Sequence, residues 1–179
     1  MIGQAGVGKS TIGILLDEAG IDVVDLDKHI SDIEGARPEE IIIKRGLSYF
    51  REAEYQALLS IVDKSSGEES RISKSGDQRV TLVILGAGFV ESEKSVELLQ
   101  GANVILIKRS LLKVLFSIKG RFRGYSFLQF IINWVKRMPK YQRVLKKASS
   151  NSITLRCKNV ENSLKNIHHE VLSWTEKLP

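Results

Sequence analysis

The stretch "MIGQAGVGKSTIG" constrains this chain more than any other, because Gly3, Gly8, Lys9 and Ser10 fit G-x-x-x-x-G-K-[ST]. Such a loop joins a buried strand to a helix. Gly3, Gly6 and Gly8 let the backbone bend so that successive N–H groups point inward at phosphate oxygens, and the following helix presents its positive end. Residues Gly6, Val7, Gly8, Lys9, Ser10 and Thr11 are therefore the expected phosphate contacts. Lys9 would neutralise β- and γ-phosphates, and Ser10 would set its hydroxyl on Mg²⁺. The plain alternative is a chance glycine-rich turn, but four fixed positions followed at once by an amphipathic segment argue for a nucleotide pocket.

Only Met1 and Ile2 stand ahead of the loop. At roughly 3.3 Å per residue, two residues do not cross a sheet. The expectation is thus a first strand that is missing or truncated, two neighbouring strands left with unpaired backbone groups, and an upstream segment lost or left out.

The 179-residue chain suits one α/β domain over residues 1–179. A single cysteine, Cys157, excludes an intrachain disulfide, and no Cys/His cluster has zinc-ligand spacing. No apolar run approaches the roughly 18 residues of a membrane span, and no secretory signal is visible. A cytoplasmic setting is expected, or a plastid if a transit peptide preceded Met1. Net charge is +6, but residues 101–179 carry 16 Lys and Arg against Glu161, Glu170 and Glu176, so the first hundred residues are acidic. The basic half faces anions; with no RNP, helix-turn-helix or zinc-finger pattern, nucleic acid is a poor candidate.

Read for periodicity, Lys9 to Ala19 forms a helix closed by Gly20, and "IDVVD" a strand ending at Asp25. Helices are expected at about 27–34, 38–45 and 48–63, then a polar surface loop at about 64–79. "VTLVIL" (80–85) has the unalternating β-branched character of a strand covered on both faces. A helix near 91–100, a strand at 103–107, a helix near 110–118, helical segments flanking Pro139, a strand at 152–157 and a helix from about 160 to 178 complete the chain. Strands alternating with helices predict a parallel sheet with helices on both faces.

Three further constellations carry chemistry. Asp25 and Asp27, in "VVDLDKHI", leave the carboxyl end of a strand, where ligands bind in an open parallel sheet. One can reach a metal shell and the other a hydroxyl; alternatively Asp27 simply caps the next helix. Arg51 and Glu54 share a helix face, either as a positioned guanidinium with its carboxylate or as a surface pair worth under ~1 kcal/mol. Arg137 lies far away in sequence, and with Arg51 could close on one carboxylate. His29, His168 and His169 read as solvated helix residues.

Taken in order, "GQAGVGKSTIG", "VVDLDKHI", "GLSYFREAEYQAL", "VILGAG" and "KRMPKYQRVL" make the sequence resemble shikimate kinase from residue 3 to about 145. The resemblance implies a three-layer P-loop kinase fold with a five-stranded parallel sheet, acting as a monomer. It implies ATP and Mg²⁺ as cofactors and transfer of the γ-phosphate to the 3-hydroxyl of shikimate. On this pattern Asp25 supports the metal with Ser10, and Asp27 binds substrate hydroxyls. Arg51 and Arg137 grip the carboxylate, Glu54 orients Arg51, and Gly86, Ala87 and Gly88 offer backbone N–H groups. A lid at about 119–127 would bring Arg123 or Arg121 over the phosphates.

The chain departs from the pattern in several places. Ala87 replaces the middle glycine of a triple glycine, which matters if that position needs positive φ or close substrate approach. "GRFRGYSF" lacks the family's lid signature of arginine followed by P-L-L, and "LLKVLFSIKG" lacks the arginine expected beside adenine. Three readings follow: a working shikimate kinase; a degenerate nucleotide-binding or interaction domain; or a P-loop kinase for another hydroxy acid such as gluconate.

Overall fold

A computed structural model describes residues 1–66, 81–118, 127–156 and 160–175. Most of the polar loop at 64–79, all but the last residue of the lid at 119–127, and with them Arg121, Arg123 and Cys157, lie outside the described residues.

Five parallel strands alternate with helices. In chain order they are β1 (Ile2–Gly3), α1 (Lys9–Glu18), β2 (Asp22–Asp25), α2 (Leu26–Glu34), α3 (Pro38–Arg45), α4 (Leu47–Ser66) and β3 (Thr81–Ile84). There follow a 3-10 turn (Phe89–Glu91), α5 (Glu93–Glu97), β4 (Ile105–Lys108), α6 (Leu111–Ile118), α7 (Phe127–Lys147), β5 (Ile153–Arg156) and α8 (Val160–Thr175). β2 pairs with β3, and β1 and β5 flank β4, all in parallel register.

The first strand is truncated to two residues, as expected, but it does not leave its neighbours unpaired. Ile2 and Gly3 pair with Leu106 and Ile107 of β4. On the other side the Met1 nitrogen donates to the Val83 carbonyl, and the Leu85 N–H donates to the Met1 carbonyl at 3.0 Å. Two or three residues bridge the halves of the sheet in the order β2-β3-β1-β4-β5. The strands β3 and β4 are themselves only four residues long, so a short central segment meets most of their backbone demand.

Side chains alternate across this sheet with period two, which divides the core into two layers. Ile2, Val83, Leu85 and Leu106 face a cluster with Leu26 and Ile30 of α2, Ile41 of α3, Phe50 and Leu58 of α4, and Tyr141 and Val144 of α7. Met1, Leu82, Ile84, Ile105 and Ile107 face Ile12 and Leu16 of α1, Val114 of α6, and Ile167 and Val171 of α8. Gly13, in mid-α1, earns its place by proximity: a Cβ there would lie 2.2 Å from Ile84 Cδ1.

Two boundaries differ from the sequence expectation. The helix near 91–100 is instead the 3-10 turn at 89–91 followed by five residues of α5, because Ser92 adopts an extended conformation and caps Ser95. Pro139 does not separate two helices; α7 runs through it. Proline removes one helical donor, and the adjoining turn is tied down by Gln4, whose Nε2 donates to the Trp134 carbonyl.

Candidate active site

All the expected site residues that are described gather at the carboxyl edge of the sheet, where α1, α2, the 3-10 turn and α7 converge. The phosphate loop runs from β1 into α1 with Gly6 at φ 76° and Gly8 at φ 103°, left-handed values that favour glycine. Gly8 is the helix N-cap and offers no side chain to its orphan N–H groups, so these remain available to an anion. Val7 is buried beneath the loop, while Gly6, Ser10 and Thr11 are exposed. The Lys9 ammonium lies across the loop mouth, donating to Gly3 O at 2.8 Å and Gln4 O at 3.2 Å.

Ser10 and Asp25 meet directly: Ser10 Oγ donates to Asp25 Oδ2 at 2.9 Å. The other Asp25 oxygen accepts from the N–H groups of Asp27 (3.1 Å) and Lys28 (3.4 Å), capping α2. The cap role suggested for Asp27 therefore belongs to Asp25, because the helix starts one residue earlier than expected. A hydroxyl and one carboxylate of hard oxygen character suit Mg²⁺, which takes few protein ligands and completes its shell with phosphates and water. Among the described residues no group of three or more His, Cys, Asp or Glu forms a metal cage.

Asp27 and Glu54 flank the glycine segment after β3. A Cβ on Gly86 would lie 2.8 Å from Asp27 Oδ1 and 3.0 Å from Glu54 Oε1, and one on Gly88 would lie 2.0 Å from Arg51 Nη2. These glycines are selected for closeness: Gly88 has an ordinary φ of −88°. Ala87 between them is half-buried, and its carbonyl accepts the Tyr141 hydroxyl at 2.7 Å.

Arg51 and Arg137 come together here from α4 and α7. Arg51 Nη1 donates to Glu54 Oε2, a carboxylate only 1% exposed. Burial pushes Glu54 up to about 6, against the pull of Arg51 and with a push from Asp27. Among the described residues Glu54 Oε1 is buried with no hydrogen-bond partner, an orphaned acceptor facing the glycine segment.

Sequence reasoning did not single out Glu91. Its Oε1 accepts from Arg137 Nε at 3.1 Å, and its Oε2 accepts from Arg137 Nη2 at 3.2 Å and Arg51 Nη2 at 3.3 Å. Partial burial raises its proton affinity, but the hydrogen bonding and charge of Arg137, with Arg51 beside it, outweigh this and hold it below the usual carboxylate range. Its only sequence signal is an acidic residue three places after the glycine segment.

Tyr141 lies in "KRMPKYQRVL", where the sequence alone gives it no role. Its buried hydroxyl lies 2.9 Å from Gly3 O and 2.7 Å from Ala87 O, linking the phosphate loop to the glycine segment.

A family model described as "Shikimate kinase" matches residues 5–171. The chain is 36% identical over 111 residues to a shikimate kinase of Chloroherpeton thalassium, covering 62% of this chain and 52% of that protein. It is 32% identical over 118 residues to one of Marinomonas sp., covering 65% and 58%. The chain thus spans somewhat over half the length of these relatives. Among solved structures, shikimate kinase from Acinetobacter baumannii in complex with shikimate superposes with a TM-score of 0.72 at 20% identity, covering 99% of this chain and 93% of that one. The enzyme from Bacteroides thetaiotaomicron gives 0.70 at 17% identity, with 96% of each chain covered. At such identities the superpositions speak to the fold, which is that of a P-loop kinase with a parallel sheet, while the family model speaks to descent across most of the sequence. The chain belongs to the shikimate kinase family.

Proposed function

We propose that residues 1–179 form one P-loop kinase domain that transfers the γ-phosphoryl group of ATP to the 3-hydroxyl of shikimate. The observation that carries this reading is the convergence of Arg51 and Arg137, from separate helices, on a single carboxylate group. Two guanidinium forks aimed at one point form a recognition site for a carboxylate, and the phosphate loop opens on the same sheet edge.

In this reading Gly6, Val7, Gly8 and Thr11 shape the phosphate cradle, and Lys9 balances charge on the β- and γ-phosphates. Ser10 and Asp25 hold Mg²⁺, which supplies charge neutralisation between the phosphates when bound. Asp27, beside Gly86, aligns the attacking hydroxyl and is placed to accept its proton. Arg51 and Arg137 fix the substrate carboxylate, Glu54 orients Arg51, and the backbone of Gly86, Ala87 and Gly88 lines the ring. Holding the hydroxyl in line with the phosphoryl group is most of what such catalysis requires. Arg121 or Arg123 would close over the phosphates as the lid residue.

Incubation with Mg·ATP and shikimate, followed by mass spectrometry, tests the assignment. A shikimate monophosphate that fails to form with Asp27→Asn supports it. Phosphorylation of gluconate in preference to shikimate would move the enzyme to another hydroxy acid. Retained nucleotide binding with no transfer to either would favour the degenerate domain, a reading to which Glu91 in the carboxylate position lends some support.

A further inference from the structure

Resting on the reading above, we propose that Glu91 is a built-in competitor for the substrate carboxylate, occupying the arginine pair until substrate displaces it, and so sets how tightly and which carboxylates bind. Three observations carry this. Both Glu91 oxygens are engaged: the Nε and Nη2 edge of Arg137 is spent entirely on it, at 3.1 and 3.2 Å, and Arg51 Nη2 adds a contact at 3.3 Å. A guanidinium offers its paired N–H edge to one carboxylate at a time, so an incoming acid gains that edge only when Glu91 leaves it.

Charge points the same way. Among the described residues Arg51 and Arg137 stand against Glu54 and Glu91, two charges of each sign, with Asp27 adding a negative charge near Glu54 and Lys140 a positive one near Glu91. Another carboxylate added beside Glu91 would bring net repulsion into a partly desolvated site, whereas exchange for Glu91 leaves the balance intact. Lys140 also acts on Glu91 through its charge.

Of the two acidic partners, only Glu91 is free to exchange. Glu54 is 1% exposed and lies within α4, whereas the Glu91 side chain is 31% exposed. The Glu91 backbone is held by its N–H to Gly88 O at 3.0 Å, and Ser92 behind it is fixed as the cap of α5. Departure therefore needs only rotation of the Glu91 side chain into water, with no backbone rearrangement.

The test measures shikimate binding by calorimetry on the whole chain with Glu91→Gln and Glu91→Ala, using ATP binding to verify the fold of each variant. Competition predicts that both substitutions tighten shikimate binding by about tenfold, and that in turnover KM falls by more than kcat changes. Glu91 as a brace for the arginines predicts the opposite sign, so weaker binding overturns the proposal, as does unchanged binding. In either of those cases measurable wild-type affinity leaves the substrate assignment standing. Absence of shikimate binding by the wild type and both variants, with ATP still bound, would defeat the substrate assignment and the competitor with it.

Discussion

The two ends of this site are built by different means. The phosphate end is made of backbone: glycines with left-handed φ, a helix terminus and one lysine lying across its own loop. The carboxylate end is made of side chains from α4, the 3-10 turn and α7, each held by an opposite charge. A backbone cradle is encoded by a short local pattern and has little freedom to change its shape. A side-chain cradle depends on tertiary folding, and one acidic residue is enough to alter its occupancy.

Substitutions can break this contrast in graded steps. Lys9→Ala should have the largest effect, lowering turnover by about 10²–10³-fold while leaving shikimate affinity near the wild-type value. An equal loss in both, read from kcat and calorimetry, would mean the ends are not separable.

Paired glycine substitutions come next. A Cβ on Gly3 would sit 2.6 Å from the Ile107 carbonyl, which is backbone, whereas one on Gly88 would sit 2.0 Å from Arg51 Nη2, the end of a side chain that Glu54 and Glu91 hold in place. Gly3→Ala should therefore cost about 1–3 kcal/mol of stability in urea melts. Gly88→Ala should displace the Arg51 guanidinium and raise the KM for shikimate roughly tenfold. Reversed effects would contradict the division into backbone and side-chain cradles.

Tyr141→Phe probes the link between the ends. Gly3 O keeps Lys9 as a donor, but Ala87 O loses the hydroxyl. The expected cost is about 1–2 kcal/mol, seen as a lower denaturation midpoint.

The smallest effect concerns pH. Glu54, raised to about 6 chiefly by burial, keeps its proton in the folded state between its unfolded value near 4.5 and about 6. Stability from this group declines as pH rises through that window, by up to about 2 kcal/mol, and is level above it. Glu91, depressed by Arg137 and Arg51 despite its partial burial, acts in the opposite direction below about 4.5. Chemical denaturation of Glu54→Gln across pH 3 to 7 should flatten the upper window and leave the lower one in place.

The same contrast explains what could be read from the chain. The loop at Gly3–Ser10 and the paired aspartates are short-range patterns, so both were legible, and the unalternating β-branched run around β3 announced a buried parallel strand. Capping of α2 by Asp27 is only an alternative in the sequence, since D-L-D offers two suitable carboxylates, and geometry shows that Asp25 reaches the free N–H groups. Met1 and Ile2 looked too few for a strand, since residue count does not reveal how few pairings its short neighbours require. Pro139 reads as a break by local rules, yet packing of Tyr141 and Val144 in the core keeps α7 continuous. Glu91 escaped notice because its meaning depends on two arginines from distant helices.

The most direct test of the central claim, that phosphoryl transfer needs two separately built cradles, one for ATP and one for the acceptor, is ADP release with Mg·ATP, with and without shikimate, in wild type, Lys9→Ala and Arg137→Ala. The account predicts shikimate-dependent release by the wild type, its loss in both variants, and ATP binding preserved in Arg137→Ala. ADP release that is indifferent to shikimate, or that survives in Arg137→Ala with the wild-type KM, would contradict it.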